Sequence, residues 1–360
     1  MKILVATDAW FPQVNGVLAT YQRLADELPK LGCDLTFLTP ERFDTIAMPG
    51  YREIRLAVPN RNIAEAEINA ETPDHIHIAT EGPVGWMARN YCLRRGVCFT
   101  TSFHTRFPEY GSQHLGVPKG IVYAGLKRFH NAGAGLMVAT PSLQRDLAGR
   151  GFRNVLPWTR GVDTTLFYPR ADRLFGNDGP VFLYVGRVSI EKNVEAFLSA
   201  DLPGIKVVVG DGPQLATLAE RFPRVCFAGR RVGEDLARHF ASADVFVFPS
   251  RTDTFGLVVL EAMASGIPVA AYPVTGPVDI IEDGISGVLD KDLATAARRA
   301  LSLDRVQVRR RALDFTWHRT AEVFLDNIRH ARAVNVRLPA HATATLPHTH
   351  TCGAAANRRP

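Results

Sequence analysis

The chain has 360 residues, 46% of them hydrophobic and 22% charged, which is a globular balance and enough length for two domains of ordinary size. No stretch approaches ~18 uninterrupted apolar residues, which excludes a membrane-spanning helix. The net charge of +6 comes without the recognition motifs or aromatic-basic interleaving of nucleic-acid binders.

The five cysteines, Cys33, Cys92, Cys98, Cys226 and Cys352, are odd in number and contain no CxxC pair. Neither a disulfide framework nor a zinc site is expected, and a reducing cytoplasm suits the chain.

Residues 1–8 predict a first strand, its apolar part too short for a secretory signal, followed by a loop over 9–17. Leu18, Tyr21, Leu24, Ala25, Leu28 and Leu31 recur at helical spacing and predict a helix over 18–31. A second strand follows at 34–38. This β-loop-α-β opening is doubly wound in style, but its loop has no G-x-G-x-x-G, so the nicotinamide-binding fingerprint is absent. Residues 40–70 are mixed, with a short strand near 51–56. Strands are predicted at 74–78 and 98–101, separated by a helix reaching about residue 95. The second of these runs into Ser102-Phe103-His104-Thr105. A segment rich in Tyr, Lys and Arg covers 110–131. A strand at 136–140, a helix at 142–150 and an apolar stretch at 155–158 lead to Arg160-Gly161-Val162-Asp163. Residues 170–180 are charged and Gly-rich, as linkers are.

A second α/β series begins at strand 181–185. Its loop carries Gly186-Arg187 and Glu191-Lys192-Asn193, and a helix follows at 194–200. Strand 205–209 ends in Gly210-Asp211-Gly212-Pro213, and strand 225–228 runs into Gly229-Arg230-Arg231. After a helix at 234–243, the apolar run 244–249 reads as a buried parallel strand. A loop then feeds a helix from Gly256 to Ala264, stopped by Gly266. A strand at 267–272, a last strand near 287–289 and helices at about 292–303 and 316–334 complete the series. Residues 337–360 are Ala, Thr, His and Pro without periodicity and are expected to be disordered. The expected organisation is α/β throughout, with halves at 1–169 and 170–318. A helix over 319–336 packs back toward the first half, and a cleft lies between the carboxyl edges of two sheets.

Ligands bind open α/β sheets at that edge, and the free amides of a helix N-terminus attract phosphate. Asp253 stands just before the 256–264 helix and Glu261 eight residues later, so carboxylates at either end can accept hydroxyls while the amides between hold an anion. That pattern describes a nucleotide-sugar site, although Asp253 as a helix cap and Glu261 as a solvated helix residue is the plainer reading of an isolated pair. Arg187 and Lys192, at the end of a strand, can neutralise a leaving diphosphate or be solvated surface. Gly16 permits close backbone approach or forms a simple turn. His104 ends a strand facing the cleft, where it can hydrogen-bond a sugar, whereas a lone His is more often structural. Asp163 caps a turn equally well. The DxD motif, Asp290-Lys291-Asp292, immediately precedes a helix, where capping explains it better than metal, and no metal is expected.

In their order along the chain, these motifs resemble those of retaining glycosyltransferases of family 4, which have the two-domain GT-B fold. The resemblance covers about 1–335. It is specific in the second half and supported in the first by Asn15-Gly16, the segment at 102–105 and Arg160 to Asp163. Within the family it is similar to members that glycosylate lipids such as diacylglycerol. It implies a catalytic centre of Arg187, Lys192, His104 and Asp253. The donor would be held by Gly16, Arg187, Lys192, Arg230 near the base, Asp253 on the sugar, the Thr254, Phe255, Gly256 and Leu257 amides, and Glu261 on the ribose. Asn15, His104 and Arg160 would line the acceptor side. The family more usually has Glu where Asp253 stands, and the shorter carboxylate marks a subgroup.

The implied reaction moves a hexosyl group from a UDP-glucose-type donor or GDP-mannose to a membrane lipid or glycan. Attack is front-side, with no cofactor and without the flanking carboxylate pair of glycosidases. The implied location is cytoplasmic, at the inner face of the cell membrane. Lys119, Tyr123, Leu126, Lys127, Arg128 and Phe129 make residues 118–137 either a basic amphipathic face for anionic lipid or an ordinary helix covering the core. Two other readings remain. A nucleotide-sugar epimerase of the same architecture would act on donor without acceptor. A non-catalytic sugar-nucleotide sensor is disfavoured by Arg187, Lys192 and Glu261 standing together.

Overall fold

A computed structural model of the protein describes residues 1–13, 15–48, 51–104, 118–171, 173–176 and 179–337. Thr105, Cys352 and the expected tail beyond residue 337 lie outside these residues.

The apolar runs become parallel strands, the inner ones buried on both faces and the edge strands only partly. β1 (Lys2–Ala6), β2 (Asp34–Leu38), β5 (His75–Ile78), β6 (Phe99–Phe103), β7 (Gly135–Val138) and β8 (Val155–Pro157) form one sheet in the order β2-β1-β5-β6-β7-β8. An antiparallel hairpin, β3 (Thr45–Met48) with β4 (Tyr51–Ala57), stands apart from it. The second sheet, in the order β11-β10-β9-β12-β13-β14, contains β9 (Val181–Val185), β10 (Ile205–Val209), β11 (Cys226–Gly229), β12 (Val245–Phe248), β13 (Val269–Ala271) and β14 (Gly287–Leu289). All neighbours in both sheets are parallel.

Alternation along β9 divides the second core in two. Val181, Leu183 and Val185 join Phe246 and Phe248 on one face, whereas Phe182 and Tyr184 join Val245 and Val247 on the other. Helices cover both faces, and each fully buried side chain contributes roughly 1.5–3 kcal/mol. Strand order reverses between β1 and β5 in the first sheet and between β9 and β12 in the second. The loops leaving those strands diverge and open a crevice at each carboxyl edge.

Three helices differ from expectation. α1 (Gly16–Glu27) starts earlier than 18, because Asn15 caps it by accepting from the Val17 and Leu18 amides. It stops at Glu27 rather than 31, since Pro29 cannot continue the ladder, and a 3₁₀ turn over Leu28–Leu31 follows. α2 (Arg61–Glu71), capped by Asn60, occupies part of the stretch read as mixed. Its core contribution rests on Ala64 and Ile68, too few apolar positions to stand out. A further helix, Arg305–Ala312, lies between the two predicted terminal helices. Its arginines are partly structural: Arg309 Nη1 donates to the Ala264 carbonyl and Arg305 Nε to that of Gly266 (3.1 Å), which ties off the end of the helix Leu257–Ala264.

The last helix, Trp317–Arg337, returns to the first sheet. Ala321, Phe324, Leu325 and Ile328 pack with Ile3, Val5, Tyr21, Leu24 and Trp158. The helix Lys119–His130 turns Tyr123, Leu126 and Phe129 into the core. Its apolar stripe therefore covers the core, as the plainer reading holds, and Ile121, Lys119, Lys127 and Arg128 remain outside.

The carboxyl edge of the second sheet is interlocked by backbone. Gly186 donates to Val209 O (3.0 Å), Gly210 to Gly229 O (2.9 Å) and Val188 to Asp211 O (2.9 Å). Gly210 has φ 147°, and a Cβ there would overlap the Gly186 carbonyl oxygen. Gly210→Ala is expected to destabilise the protein by about 3 kcal/mol. That lowers the melting temperature by roughly 5–10 °C in a thermal scan, and an unchanged melting temperature would contradict the packing.

Candidate active site

The loop after β9 is built to present cations. The Tyr184 hydroxyl donates to the Arg187 carbonyl (2.7 Å), so the backbone under Arg187 is held from the core. Asn193, in the left-handed region at φ 55°, ends a 3₁₀ turn over Ile190–Lys192 and donates its side-chain amide to Pro249 O (3.1 Å). That bond fastens this loop to the end of β12 and brings Lys192 Nζ within 2.5 Å of Asp253 Oδ1. The cap reading of Asp253 is overturned: the helix α9 (Leu257–Ala264) has Gly256 at its N-cap and no side-chain cap bond. Near the pair, Ser250 Oγ, Thr252 Oγ1 and Asp253 Oδ2, with Glu191 Oε2 from the β9 loop, are buried side-chain oxygens without partners among the described residues. Phe255 is buried in the second core, and Gly266 ends α9 in the left-handed conformation. Arg230 follows β11 and is exposed.

Glu261, one turn into α9, is partly exposed. Burial of its carboxyl pushes the pKa up to about 7, while the charge of Arg23 on α1 pulls it down. Arg23 also pairs with Asp163 Oδ2 (2.9 Å), and Asp163 Oδ1 caps the turn at Thr165 and Leu166. The first domain thus reaches this site through Arg23. It does so again where Gly16 approaches Leu257, whose Cδ1 would lie 3.4 Å from a Cβ at Gly16. Two further bonds cross the cleft. The Thr254 hydroxyl donates to the His104 carbonyl (2.7 Å), and Ser142 donates both its amide (2.9 Å) and its hydroxyl to Asp279.

On the first-domain side, His104 and Arg160 are brought together, with Arg160 Nη2 3.2 Å from His104 Nδ1. Arg160 is buried, stacks 4.0 Å over the Trp158 ring, and donates to the Trp158 and Thr159 carbonyls (2.6 and 3.0 Å). Burial lowers its pKa to about 10. The other ring nitrogen of His104 meets Tyr21 Oη at 3.2 Å. Burial and the Arg160 charge hold His104 well below the usual imidazole range, so the ring is neutral and both nitrogens are engaged. Asn15 uses its side-chain oxygen on the α1 cap and its amide on Gln13. Asp292 accepts from the Ala294 amide as a helix cap.

Sequence reasoning missed Asp8, Tyr21 and Arg23. Asp8 receives the Thr80 hydroxyl (2.7 Å) and the Val84 amide (2.8 Å), pinning the first sheet's crevice, and burial raises its pKa. An Asp ending a first strand was the one available signal. Tyr21 was hidden in an apolar stripe and Arg23 on a helix surface.

Taken together, a lysine–carboxylate pair, unpartnered buried oxygens and a second carboxylate line the crevice of the second sheet, roofed by the first domain. This arrangement suits an anionic ligand rich in hydroxyls. A family model described as "Glycosyltransferase Family 4" matches residues 14–166, and one described as "Glycosyl transferases group 1" matches residues 179–303. The chain is 28% identical over 317 residues to a GDP-mannose-dependent alpha-mannosyltransferase of Mycobacterium tuberculosis, covering 80% of this chain and 83% of the relative. It is 29% identical over 353 residues to the alpha-monoglucosyldiacylglycerol synthase of Streptococcus pneumoniae, covering 84% and 78%. Sucrose-phosphate synthase from Thermosynechococcus elongatus superposes with a TM-score of 0.74 at 23% identity, covering 92% of this chain and 99% of that one, which shows the GT-B fold. Matched by family models in both of its domains, the chain belongs to the family 4, group 1 glycosyltransferases.

Proposed function

We propose that the protein moves a hexosyl group from a nucleoside diphosphate sugar to a hydroxyl of a membrane lipid, with retention and without metal. The observation that carries this reading is the Lys192–Asp253 pair at the β9/β12 crevice beside Ser250, Thr252 and Asp253 oxygens that lack partners. A buried oxygen left unpaired costs about 1–3 kcal/mol, and a hydroxyl-rich ligand relieves that cost. GDP-mannose is the first donor to test, since the mycobacterial relative is named for it. A UDP-glucose-type donor comes second. The pneumococcal relative's name supports a diacylglycerol-type acceptor.

In the proposed reaction the bond from the anomeric carbon to the phosphate oxygen breaks as the acceptor oxygen attacks from the same face. The acceptor proton passes to the departing phosphate oxygen. Arg187 and Lys192 offset the charge gained by the diphosphate, and Lys192 Nζ is already held in place by Asp253, so little reorganisation is needed there. Asp253 meets sugar hydroxyls, Glu261 the ribose, and Arg230 lies toward the base. Thr254, Phe255, Gly256 and Leu257 present the amide end of α9, with Gly16 opposite, while Asn15, His104 and Arg160 flank the acceptor. Because the two cations serve the leaving group, transfer is independent of metal.

Purified protein incubated with GDP-mannose, UDP-glucose and a lipid extract should yield hexosyl-lipid by mass spectrometry, at a rate unchanged by chelator. A large loss in chelator would refute the metal-free step, and an inverted anomer by NMR would refute retention. Donor converted without lipid would mark an epimerase, and donor left intact under all conditions a sensor.

A further inference from the structure

We propose that Tyr21, with Ser102 and His77 behind it, is a positioning residue. It accepts the ring proton of His104, whose tautomer Arg160 sets, and by fixing the orientation of the ring sets the main-chain carbonyl that holds Thr254 of the donor loop. The name "donor loop" rests on the function proposed above; the relay itself does not.

The direction of the relay follows from one end. A guanidinium only donates, so Arg160 Nη2, 3.2 Å from His104 Nδ1, makes that nitrogen the acceptor and leaves the ring proton on Nε2. His104 Nε2–H then donates to Tyr21 Oη (3.2 Å), and the Tyr21 hydroxyl donates to Ser102 Oγ (3.3 Å). Ser102 donates to His77 Nε2 (2.8 Å), and His77 Nδ1–H to Thr100 Oγ1 (2.8 Å). Thr100 donates in turn to His75 Nε2 (2.9 Å). Tyr21 Oη also lies 2.9 Å from His77 Nε2, which only accepts in this tautomer, so the Tyr21 proton is shared between that nitrogen and Ser102 Oγ. His75 and His77 alternate on β5, as Thr100 and Ser102 do on β6, so all four side chains project from one face of the sheet. The relay ends on His75 Nδ1, which is buried without a partner among the described residues.

Tyr21, His75, His77, Thr100 and Ser102 are all buried. Trp158 packs against the His104 and His77 rings at centroid distances of 5.8 and 6.2 Å. Turning the His104 ring would break bonds at both nitrogens inside this packing. His104 is the first residue after β6, so a fixed ring fixes where the main chain leaves the sheet. Its carbonyl receives the Thr254 hydroxyl at 2.7 Å from across the cleft.

Two measurements decide the proposal. Nitrogen-15 NMR of the wild-type protein at pH 7 should show His104 as the Nε2–H tautomer. The Nδ1–H tautomer or an imidazolium would overturn it, whatever the enzyme transfers. The second is a cycle of Tyr21→Phe, Thr254→Val and the double variant, read as kcat/KM with GDP-mannose or UDP-glucose and lipid extract. Each single change should cost roughly tenfold, the worth of one good hydrogen bond. The double variant should lose no more than either single, because both break one line of action. Factors that multiply, as they do for independent sites, would overturn it. A wild-type protein that transfers from neither donor would sink the functional reading, and the tautomer would still decide the relay.

Discussion

Lys192→Ala is expected to lower kcat for sugar transfer by about 10³-fold while leaving the protein folded, since one preorganised donor to developing charge is worth roughly 10²–10³. Two losses add in this variant. The departing diphosphate forfeits a cation, and Asp253 loses the partner now 2.5 Å from its Oδ1. With Oδ2 already unpartnered, the whole carboxylate is left at the donor without an opposing charge. Asp253→Asn in the same background removes that second fault but not the first, so it should recover only a minor part of the rate. Circular dichroism and melting temperature should stay near wild type, because Lys192 is on a loop and a quarter of its side chain is exposed. Turnover within tenfold of wild type would remove Lys192 from the chemistry.

What the sequence shows of this site follows from where the information is local. The strands β9 and β12 are legible because each is an unbroken apolar run, a property of consecutive residues. The end of α9 is legible because Gly266 needs the left-handed region. The relation of Lys192 to Asp253 is not local, since 61 residues separate them. A capping Asp and a charge-pairing Asp look alike until Asn193 is seen to draw the two loops together. Tyr21 shows the opposite failure. Its ring satisfies the helical stripe of α1, so the pattern accounts for it fully and conceals a hydroxyl that meets His77 and His104, 56 and 83 residues away. The helix Arg305–Ala312 escaped because only Val308 and Ala312 of its eight residues are buried, too few for an apolar stripe, and its tie to the fold is made by Arg309 and Arg305, which bond the carbonyls at the end of α9.

The ribose contact proposed for Glu261 ties nucleotide affinity to pH with a calculable sign. Its folded pKa is raised to about 7 by burial, from an ordinary 4.5. Only the ionised carboxylate accepts from both ribose hydroxyls, so affinity for either GDP or UDP should climb up to tenfold per pH unit below 7 and level off above it. Both nucleotides carry the ribose, which makes the test independent of the base. Binding should also release a proton, measurable by calorimetry in buffers of different ionisation heat. Glu261→Gln should bind roughly 10- to 100-fold more weakly at pH 8, the worth of hydrogen bonds to a charged group, and lose the pH dependence. Stability should move the other way. Between pH 4.5 and 7 the folded state binds more protons than the unfolded, so wild-type stability falls as pH rises through that window, and the cost is complete above it. Replacing the carboxylate by an amide removes the cost, so the variant should melt higher than wild type at pH 8 and close to it near pH 5. A substitution that weakens binding and strengthens the fold is what a carboxylate kept buried for a ligand predicts. Nucleotide affinity that stays flat from pH 5.5 to 8.5 in the wild-type protein would remove Glu261 from the ribose.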